Sequence, residues 1–178
     1  MKKRALLTLL PCLVLAFASG VAAQEGGGAA TPKPYTIENN ELKLADPVVF
    51  AGRSDKLLPR SEKALTVVKD YLNEKKVVTL LRIEGHTDAG DDGEADQQLS
   101  ERRALSVARW LVEKGVDCKR LVVVGFGGTK PVAANDTPEH RAQNLRIAFV
   151  NAALLRRAIG GLPADGGGRA AGDACPQP

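Results

Sequence analysis

Histidine is scarce in this chain, and its scarcity limits the metal chemistry that the sequence can support. His86 and His140 are the only histidines among 178 residues, they lie far apart, and no His-Glu-x-x-His motif is present. Zinc sites need a cluster of three or four ligands. The sequence therefore predicts no zinc amidase or peptidase, and His86 is interpreted as a hydrogen-bonded turn histidine.

Other enzyme chemistries also lack support. Ser100 has no partner histidine nearby in the sequence and falls in a predicted helix, whereas a serine nucleophile needs an adjacent base. The acidic residues from Asp88 to Asp96 could supply paired carboxylates, but they lie in a flexible-looking loop. This loop vaguely resembles a calcium site, yet Gly90 and Leu99 occupy positions that require oxygen ligands. We predict no catalysis, no metal and no cofactor.

An excess of basic side chains is also missing once the first residues are set aside. The formal charge of the whole chain is +4, but three of its 25 Lys and Arg residues are Lys2, Lys3 and Arg4. The remaining 22 basic and 21 acidic residues nearly cancel. A nucleic-acid-binding domain would show a clustered basic surface, so nucleic acid is not an expected partner.

One long apolar run is present, and it lies near the start of the chain. The uncharged stretch Ala5–Ala23 follows three basic residues and ends in small residues. This pattern predicts a signal peptide over residues 1–23, cleaved before Gln24. An uncleaved anchor is the alternative, since nineteen uncharged residues could nearly span a bilayer; acylation of Cys12 is disfavoured because a proline precedes it. The mature protein is expected to be soluble in the periplasm or associated with the outer membrane.

Two cysteines, Cys118 and Cys175, remain outside the leader. In an oxidising periplasm they can form a disulfide that ties the end of the chain to the domain. We predict this disulfide; two free or intermolecular thiols are the alternative.

Composition divides the rest of the chain into three parts. Residues 24–34 and 160–178 are rich in Gly, Ala and Pro and lack apolar periodicity, which predicts a flexible linker and a flexible tail. The folded domain is expected over residues 35–159. Neither a second domain nor an internal repeat is visible in the sequence.

Within residues 35–159 the apolar periodicity alternates between strand and helix. The order strand, helix, strand, helix, strand implies parallel pairing with right-handed crossovers, and an added antiparallel strand would complete a mixed sheet. The predicted fold is an α/β two-layer sandwich with the helices on one face, and Arg82 and Glu84 are expected on the wetter face. The predicted elements are strands at Tyr35–Ile37 and Glu41–Phe50, a helix over 59–73, a strand at Val77–Glu84, a helix over 96–114, a strand at Leu121–Phe126, a short helix near 138–144 and a strand over 146–150.

The segment Ile83–Ala104 leaves a strand at its carboxyl end, forms a long polar loop and enters a helix. Crevices at the carboxyl ends of strands are where α/β sheets tend to bind ligands. Asp88 ends the first turn of this loop, and Arg103 lies beside the apolar stripe of the helix, so both are candidate ligand-binding residues.

An ordered set of motifs resembles the OmpA C-terminal family, which includes peptidoglycan-associated lipoproteins and flagellar-stator anchors. The resemblance covers about residues 48–150. It is carried by Gly85-His86-Thr87-Asp88, Leu99-Ser100-x-x-Arg103-Ala104, Gly115-Val116, Arg120-Leu121, Gly125-Phe126-Gly127 with Pro131, Asn135-x-Thr137 and Arg141-x-x-Asn144-x-Arg146.

The resemblance implies an OmpA-like βαβαββ fold that binds the diaminopimelate residue of the peptidoglycan stem peptide without cleaving it, and so anchors or organises the cell envelope. Envelope proteins are further possible partners. The two family positions that contact diaminopimelate most directly fall on Asp88 and Arg103. The resemblance also assigns to the ligand site Thr87, Ala89, Asn135, Asn144 and Arg146.

The chain departs from the family pattern at three places. Phe50-Ala51-Gly52-Arg53 replaces Phe-x-Phe followed by Asp or Asn, Asn144-Leu145-Arg146-Ile147-Ala148 replaces Asn-Arg-Arg-Val-Glu, and Asp96 replaces an Asn. These changes leave an alternative open, namely a periplasmic protein-interaction module that kept the fold and lost wall binding. Purely structural roles are a separate alternative, in which Asp88 only caps its loop and Arg103 pairs with Glu84 or Asp96.

Overall fold

The structure is a computed structural model, and it describes residues 33–90, 92–160 and 163–175. The predicted leader and linker, apart from Lys33 and Pro34, lie outside the described residues. The strands are β1 (Tyr35–Glu38), β2 (Glu41–Leu44), β3 (Val78–His86), β4 (Leu121–Gly125), β5 (Arg146–Leu154), β6 (Arg157–Ala158) and β7 (Arg169–Ala170), and the helices are α1 (Glu62–Glu74), α2 (Gly93–Glu113) and α3 (Pro138–Asn144).

The strands form one mixed sheet in the order β1-β2-β5-β3-β4-β7, and β6 extends β5 as a hairpin. β3 and β4 are parallel neighbours connected through α2, whereas β5 runs antiparallel to both β2 and β3. The amino end of β5 therefore lies beside the carboxyl end of β3. The predicted α/β class, with helices packed on a mixed sheet, is confirmed.

The core lies between the sheet and helices α1 and α2. Both helices bury the apolar stripes that their periodicity predicts, against Leu81 and Ile83 of β3 and Phe149 of β5. The buried stripe residues are Ala64, Leu65, Val68 and Leu72 in α1, and Leu99, Ala104, Val107, Ala108 and Leu111 in α2. Among the described helices, none combines the length and the apolar character needed to cross a membrane.

Two glycines let α2 approach the sheet closely. Gly85 and Gly125 are partners across the parallel pair of β3 and β4. A Cβ atom on Gly85 would lie 2.0 Å from the backbone oxygen of Ser100, and one on Gly125 would lie 2.5 Å from the Ser100 hydroxyl. The start of α2 is thereby held directly over the carboxyl ends of the two strands.

Several predicted boundaries differ from the structure. The strand predicted to reach Phe50 ends at Leu44, because the backbone of Val49 forms hydrogen bonds with the Ser61 side chain instead. The Ser61 hydroxyl accepts from the Val49 N–H and donates to the Val49 carbonyl. Helix α2 begins three residues earlier than predicted, because the Asp92 side chain caps it by accepting from two backbone N–H groups. The last predicted strand, 146–150, continues to Leu154.

The prediction of a flexible tail is wrong for residues 163–175. Strand β7 pairs with the free edge of β4, and Ala174 is buried in the core cluster. The predicted disulfide between Cys118 and Cys175 is present. Residues 161–162 and 176–178 lie outside the described residues.

This C-terminal segment, residues 163–175, also covers the sheet face that was expected to be wet. Arg82 and Glu84 are buried there. Arg82 donates to the backbone oxygen of Ala164 at 3.1 Å, and Gly168 packs against Phe126. Alternation along the strand predicted which face the two residues occupy, but not that a later segment would cover it.

Candidate functional site

The candidate site begins where β3 ends. Thr87 is buried, its N–H donates to the Gly127 carbonyl at 2.9 Å, and the chain then turns outward through Asp88 and Ala89. A Cβ atom on Gly128 would lie 2.9 Å from the Ala89 Cα atom. The loop after β3 and the loop after β4 are thus packed backbone to backbone.

Asp96, in the first turn of α2, links the loop after β3 to Arg53. Its side chain is 2% exposed. One carboxylate oxygen accepts from the Gly90 N–H at 2.7 Å, and the other accepts from Arg53 at 2.6 Å. Among the described residues, no group of three or more His, Cys, Asp and Glu side chains is arranged to hold a metal ion.

Arg103 reaches from α2 to the loop that follows β2. Its Nε donates to the Ser54 carbonyl at 2.9 Å and its Nη2 to the Gly52 carbonyl at 2.6 Å. The guanidinium also lies over the Phe50 ring, 4.9 Å from the centroid. Arg103 is 6% exposed and does not pair with Glu84 or Asp96.

These contacts use one side of the guanidinium fork. Arginine has five N–H donors in a planar arrangement, and the Nε and Nη2 atoms of Arg103 each give one to a carbonyl. The end of the fork, with both N–H groups of Nη1 and the second of Nη2, makes no hydrogen bond to any residue that the structure describes. This end can form two parallel bonds with a carboxylate.

Asp88 and Thr87 carry unused acceptors. In the described part of the chain, Oδ1 of Asp88 and Oγ1 of Thr87 are buried without a hydrogen-bond partner. Burial, followed by the charge of Arg53, lowers the pKa of Arg103, while the carboxylates of Asp88 and Asp55 act in the opposite direction. Asp88 is therefore close enough to Arg103 for their charges to interact. Buried polar atoms without partners are uncommon in native proteins and call for an explanation.

Asn144 and Asn135 belong to a supporting network. Asn144 is fully buried, its carbonyl accepts from the N–H groups of Val132 and Ala133, and its amide donates to the Ala133 carbonyl and to Asn135. All four hydrogen-bonding positions of the Asn144 side chain are in use. Its side chain thus supports the loop over residues 132–135, and its contact with a ligand stays a prediction.

Arg146 lies at the same end of the sheet as Asp88. It is the register partner of His86, and its guanidinium donates to the Lys130 carbonyl at 3.2 Å. Burial lowers the pKa of Arg146, and Glu41 and Glu84 oppose the effect. The structure thus brings Thr87, Asp88, Ala89 and Arg146 to the ends of neighbouring strands.

A buried polar network underlies the site. Glu84 accepts from Arg82 at 2.6 Å and lies 3.2 Å from Nε2 of His86, whose ring stacks on Phe126. Burial lowers the pKa of His86, and the Glu84 hydrogen bond opposes this. Burial alone would raise the pKa of Glu84, but the bonds from His86 and Arg82 outweigh it and the pKa lies below its usual range.

The loop over residues 50–55 was not predicted to be part of the site. Phe50, Gly52 and Ser54 contact Arg103, and Asp55 interacts with its charge. The departure from the family pattern at Phe50–Arg53 was the available signal. By itself this departure indicates only lost contacts, since nothing local connects the loop to a residue about fifty positions later.

The chain is similar in sequence to several known proteins. The chain is 38% identical over 113 residues to the outer-membrane lipoprotein YfiB of Pseudomonas aeruginosa, covering 64% of this chain and 67% of YfiB. It is 36% identical over 105 residues to the peptidoglycan-binding protein ArfA of Mycobacterium tuberculosis, covering 58% of this chain and 32% of ArfA. The aligned region thus makes up two thirds of one relative and a third of the other.

The fold has solved counterparts. The peptidoglycan-associated lipoprotein from Burkholderia pseudomallei superposes with a TM-score of 0.54 at 28% identity, over 59% of this chain and 88% of that structure. The family model described as the OmpA family matches residues 49–145. This range includes β3, α2, β4, the loop that contains Asp88 and the loop over residues 50–55 that contacts Arg103. This chain belongs to the OmpA family.

Proposed function

We propose that this protein binds peptidoglycan without cleaving it, by holding the free end of a diaminopimelate residue between Asp88 and Arg103. That end of diaminopimelate carries an ammonium and a carboxylate on one carbon. The Asp88 carboxylate accepts from the ammonium, and the free end of the Arg103 guanidinium donates two bonds to the carboxylate. Both charges of the ligand are then matched.

One observation carries the proposal: the buried Oδ1 of Asp88 has no partner among the described residues, while the guanidinium that interacts with its charge keeps free donors. A residue that only capped its loop would have its oxygens satisfied. Asp55 is a candidate to replace the acid missing after Phe50, since it is the other carboxylate that interacts with the charge of Arg103.

The expected affinity of a single site is modest. Each charge-assisted hydrogen bond contributes about 1.5–3 kcal/mol net. Peptidoglycan is a polymer, however, so several copies confined to one membrane or compartment gain retention through effective concentration. The function fits an envelope protein, in line with the names of its relatives.

Export follows from the same proposal. We expect the leader over residues 1–23 to be removed, leaving a mature protein that starts near Gln24 in the periplasm or at the outer membrane. Mass spectrometry of the exported protein checks this, and an intact Met1 or an acylated Cys12 would contradict it.

Sedimentation with purified sacculi tests the site. Asp88→Ala should abolish most of the binding, because it leaves the ligand ammonium unpaired. Arg103→Lys should recover little binding, since a point charge cannot reproduce the two-bond end of the fork. No muropeptide fragments should appear on long incubation.

Two matched variants serve as controls. Asp136→Ala removes an exposed carboxylate before α3, and Arg102→Ala removes the exposed arginine next to Arg103 on α2. Both should sediment like the parent. If folded Asp88→Ala and Arg103→Lys proteins also sediment like the parent, the assigned site is wrong. If the parent does not sediment, the interaction-module alternative replaces wall binding.

A further inference from the structure

The opposite end of the sheet presents bulky apolar side chains to solvent. Val77 precedes β3, and Leu154 and Leu155 form the hairpin between β5 and β6; they are 49%, 39% and 70% exposed. The two segments are joined, because the Leu155 N–H donates to the Val77 carbonyl at 2.8 Å. The three exposed residues are therefore neighbours at this end of the sheet.

The backbone at the tip of the hairpin has a conformation that leucine rarely adopts. Leu155 and Arg156 both have positive φ, 49° and 64°, and Leu154 pairs with Arg157 across the turn. Two-residue turns of this kind strongly favour Asn-Gly, because bulky residues are strained at positive φ. Strained positions occur preferentially where function requires them.

Basic residues flank the apolar ones along the chain, since Lys76 precedes Val77, and Arg156 and Arg157 follow Leu155. Arg156 lines a cavity of about 550 Å³ together with Lys76, Lys119 and Asp117. The basic residues of this surface, Lys76, Lys119, Arg156 and Arg157, are all exposed, and none forms a salt bridge within the described part of the chain.

Asp117 is the acid that lines this cavity, so basic residues outnumber acidic ones there. The Asp117 carboxylate accepts from the backbone N–H of Lys119, and Glu74 pairs with Lys33 and Lys75. An exposed apolar hairpin tip, flanked by cations that form no salt bridge within the described residues, matches a surface that is anionic outside and apolar beneath. A soluble anionic polymer would use the cations but not the leucines.

We propose that this surface docks on a membrane that contains anionic phospholipids. The Leu155 patch is defined as Lys76, Val77, Lys119, Leu154, Leu155, Arg156 and Arg157. In this mode the leucines enter the interface while the four cations lie among the headgroup phosphates. The nine residues of β3 separate the patch from Asp88 by about 30 Å, at 3.3 Å per residue. Membrane docking therefore leaves the proposed wall site free. The docking proposal does not depend on the proposed function.

Vesicle binding by the full chain isolated from the cell envelope tests the proposal. The parent should bind vesicles of phosphatidylglycerol and phosphatidylcholine more tightly than vesicles of phosphatidylcholine alone. The double variant Leu155→Asn with Arg156→Gly should lose at least about tenfold in affinity, since it removes one inserting side chain and one cation. Because Asn-Gly suits the turn, this variant should be at least as stable as the parent, so unfolding cannot explain the loss.

A matched double variant controls for composition. Val132→Asn with Arg102→Ala also removes one exposed apolar side chain and one exposed cation, but outside the patch. It should bind like the parent. Equal binding by the parent and by Leu155→Asn with Arg156→Gly would overturn the proposal, as would equal binding of the parent to both kinds of vesicle.

A second measurement reports on position 155 itself and is insensitive to any apolar leader. In a Trp110→Phe background, Leu155→Trp fluorescence should be quenched by brominated phosphatidylglycerol, whereas Val132→Trp fluorescence should not. Absence of quenching at position 155 would overturn the proposal even if the chain pelleted with vesicles. Binding of an acidic protein to the Leu155 patch, with no quenching by the brominated lipid, would also overturn the proposal.

Discussion

At the scale of single residues, the polar side chains of the family motifs divide into two groups. Asp96, Ser100 and Asn144 form their hydrogen bonds within the protein, mostly to backbone groups, and hold the loops in place. Asp88 keeps a buried acceptor oxygen, and Arg103 keeps N–H donors, that form no hydrogen bond with any described residue. Several residues of the family motifs therefore hold the loops in place, and Asp88 and Arg103 are the pair proposed to hold the ligand.

Arg103 contributes to stability as well as to the proposed site. From the sequence alone, a residue beside the apolar stripe of α2 is expected to be replaceable without loss of the fold. Arg103→Ala would leave the Gly52 and Ser54 carbonyls without their donor, and each unsatisfied buried group costs about 1–3 kcal/mol. Arg103→Lys is for this reason the more informative variant in the sacculus experiment.

His86 predicts a pH dependence of stability. Because its pKa in the folded state lies below its ordinary value near 6.5, the unfolded chain binds the proton more readily. The free energy of unfolding should be fully retained above about pH 7 and should fall as the pH drops through about 6.5, with a slope of at most about 1.4 kcal/mol per pH unit. Urea unfolding between pH 8 and about 5.5 measures this, above the range in which carboxylates titrate.

His86→Gln should flatten this dependence, since its side chain does not titrate. His140→Gln removes the other, partly exposed histidine and is the matched control. An unchanged slope in His86→Gln would show that another group causes the effect.

At the scale of secondary-structure elements, the contact between α2 and the parallel pair of β3 and β4 positions the site. Gly85→Ala would place a Cβ atom 2.0 Å from the Ser100 backbone oxygen, which cannot rotate away. We expect a loss at or beyond the upper end of the range of about 1–3 kcal/mol that is typical of overpacking, together with weaker sacculus binding because Asp88 and Arg103 move apart.

Gly93→Ala is the control for this prediction. Gly93 opens α2, and a Cβ atom there would meet nothing within 4 Å. Alanine favours helix by up to about 1 kcal/mol over glycine, so this variant should be neutral or stabilised in urea unfolding. If Gly85→Ala unfolds at the same urea concentration as the parent, the close approach of α2 is not needed for stability.

At the scale of the whole molecule, the C-terminal segment closes the fold. It adds β7 to the edge of β4, covers Arg82 and Glu84, and is joined to the domain through Cys118 and Cys175. Arg169 of β7 also contacts Glu94 and Glu101 of α2. An open sheet edge is a site for unwanted pairing, and this segment protects it.

Cys175→Ser should destabilise the oxidised protein. The disulfide spans 57 residues, and in the loop-entropy model such a closure contributes about 4 kcal/mol by constraining the unfolded chain. Urea unfolding with and without reductant measures the effect, and reduced parent should resemble Cys175→Ser. Cys12→Ser should be neutral. Identical unfolding of oxidised and reduced parent would contradict the prediction.

Apolar periodicity by itself determined most of the core of this protein. The stripes of α1 and α2 and the strands β3 and β4 follow from alternation over a few residues, which depends on local geometry. The ordered motifs around Asp88 and Arg103 likewise identified the family and the candidate site. These features are encoded in short segments, so no knowledge of distant contacts was required.

Only the tertiary structure decided how distant segments complete that framework. Residues 163–175 have no apolar periodicity, and they are ordered by a strand edge, a disulfide and ion pairs to α2. Phe50 and the carbonyls near it meet Arg103 across about fifty residues of sequence. The Leu155 patch likewise forms only when the β5–β6 hairpin is placed beside Val77. In each case the partner is chosen by three-dimensional packing, and a pattern along one segment carries no information about it.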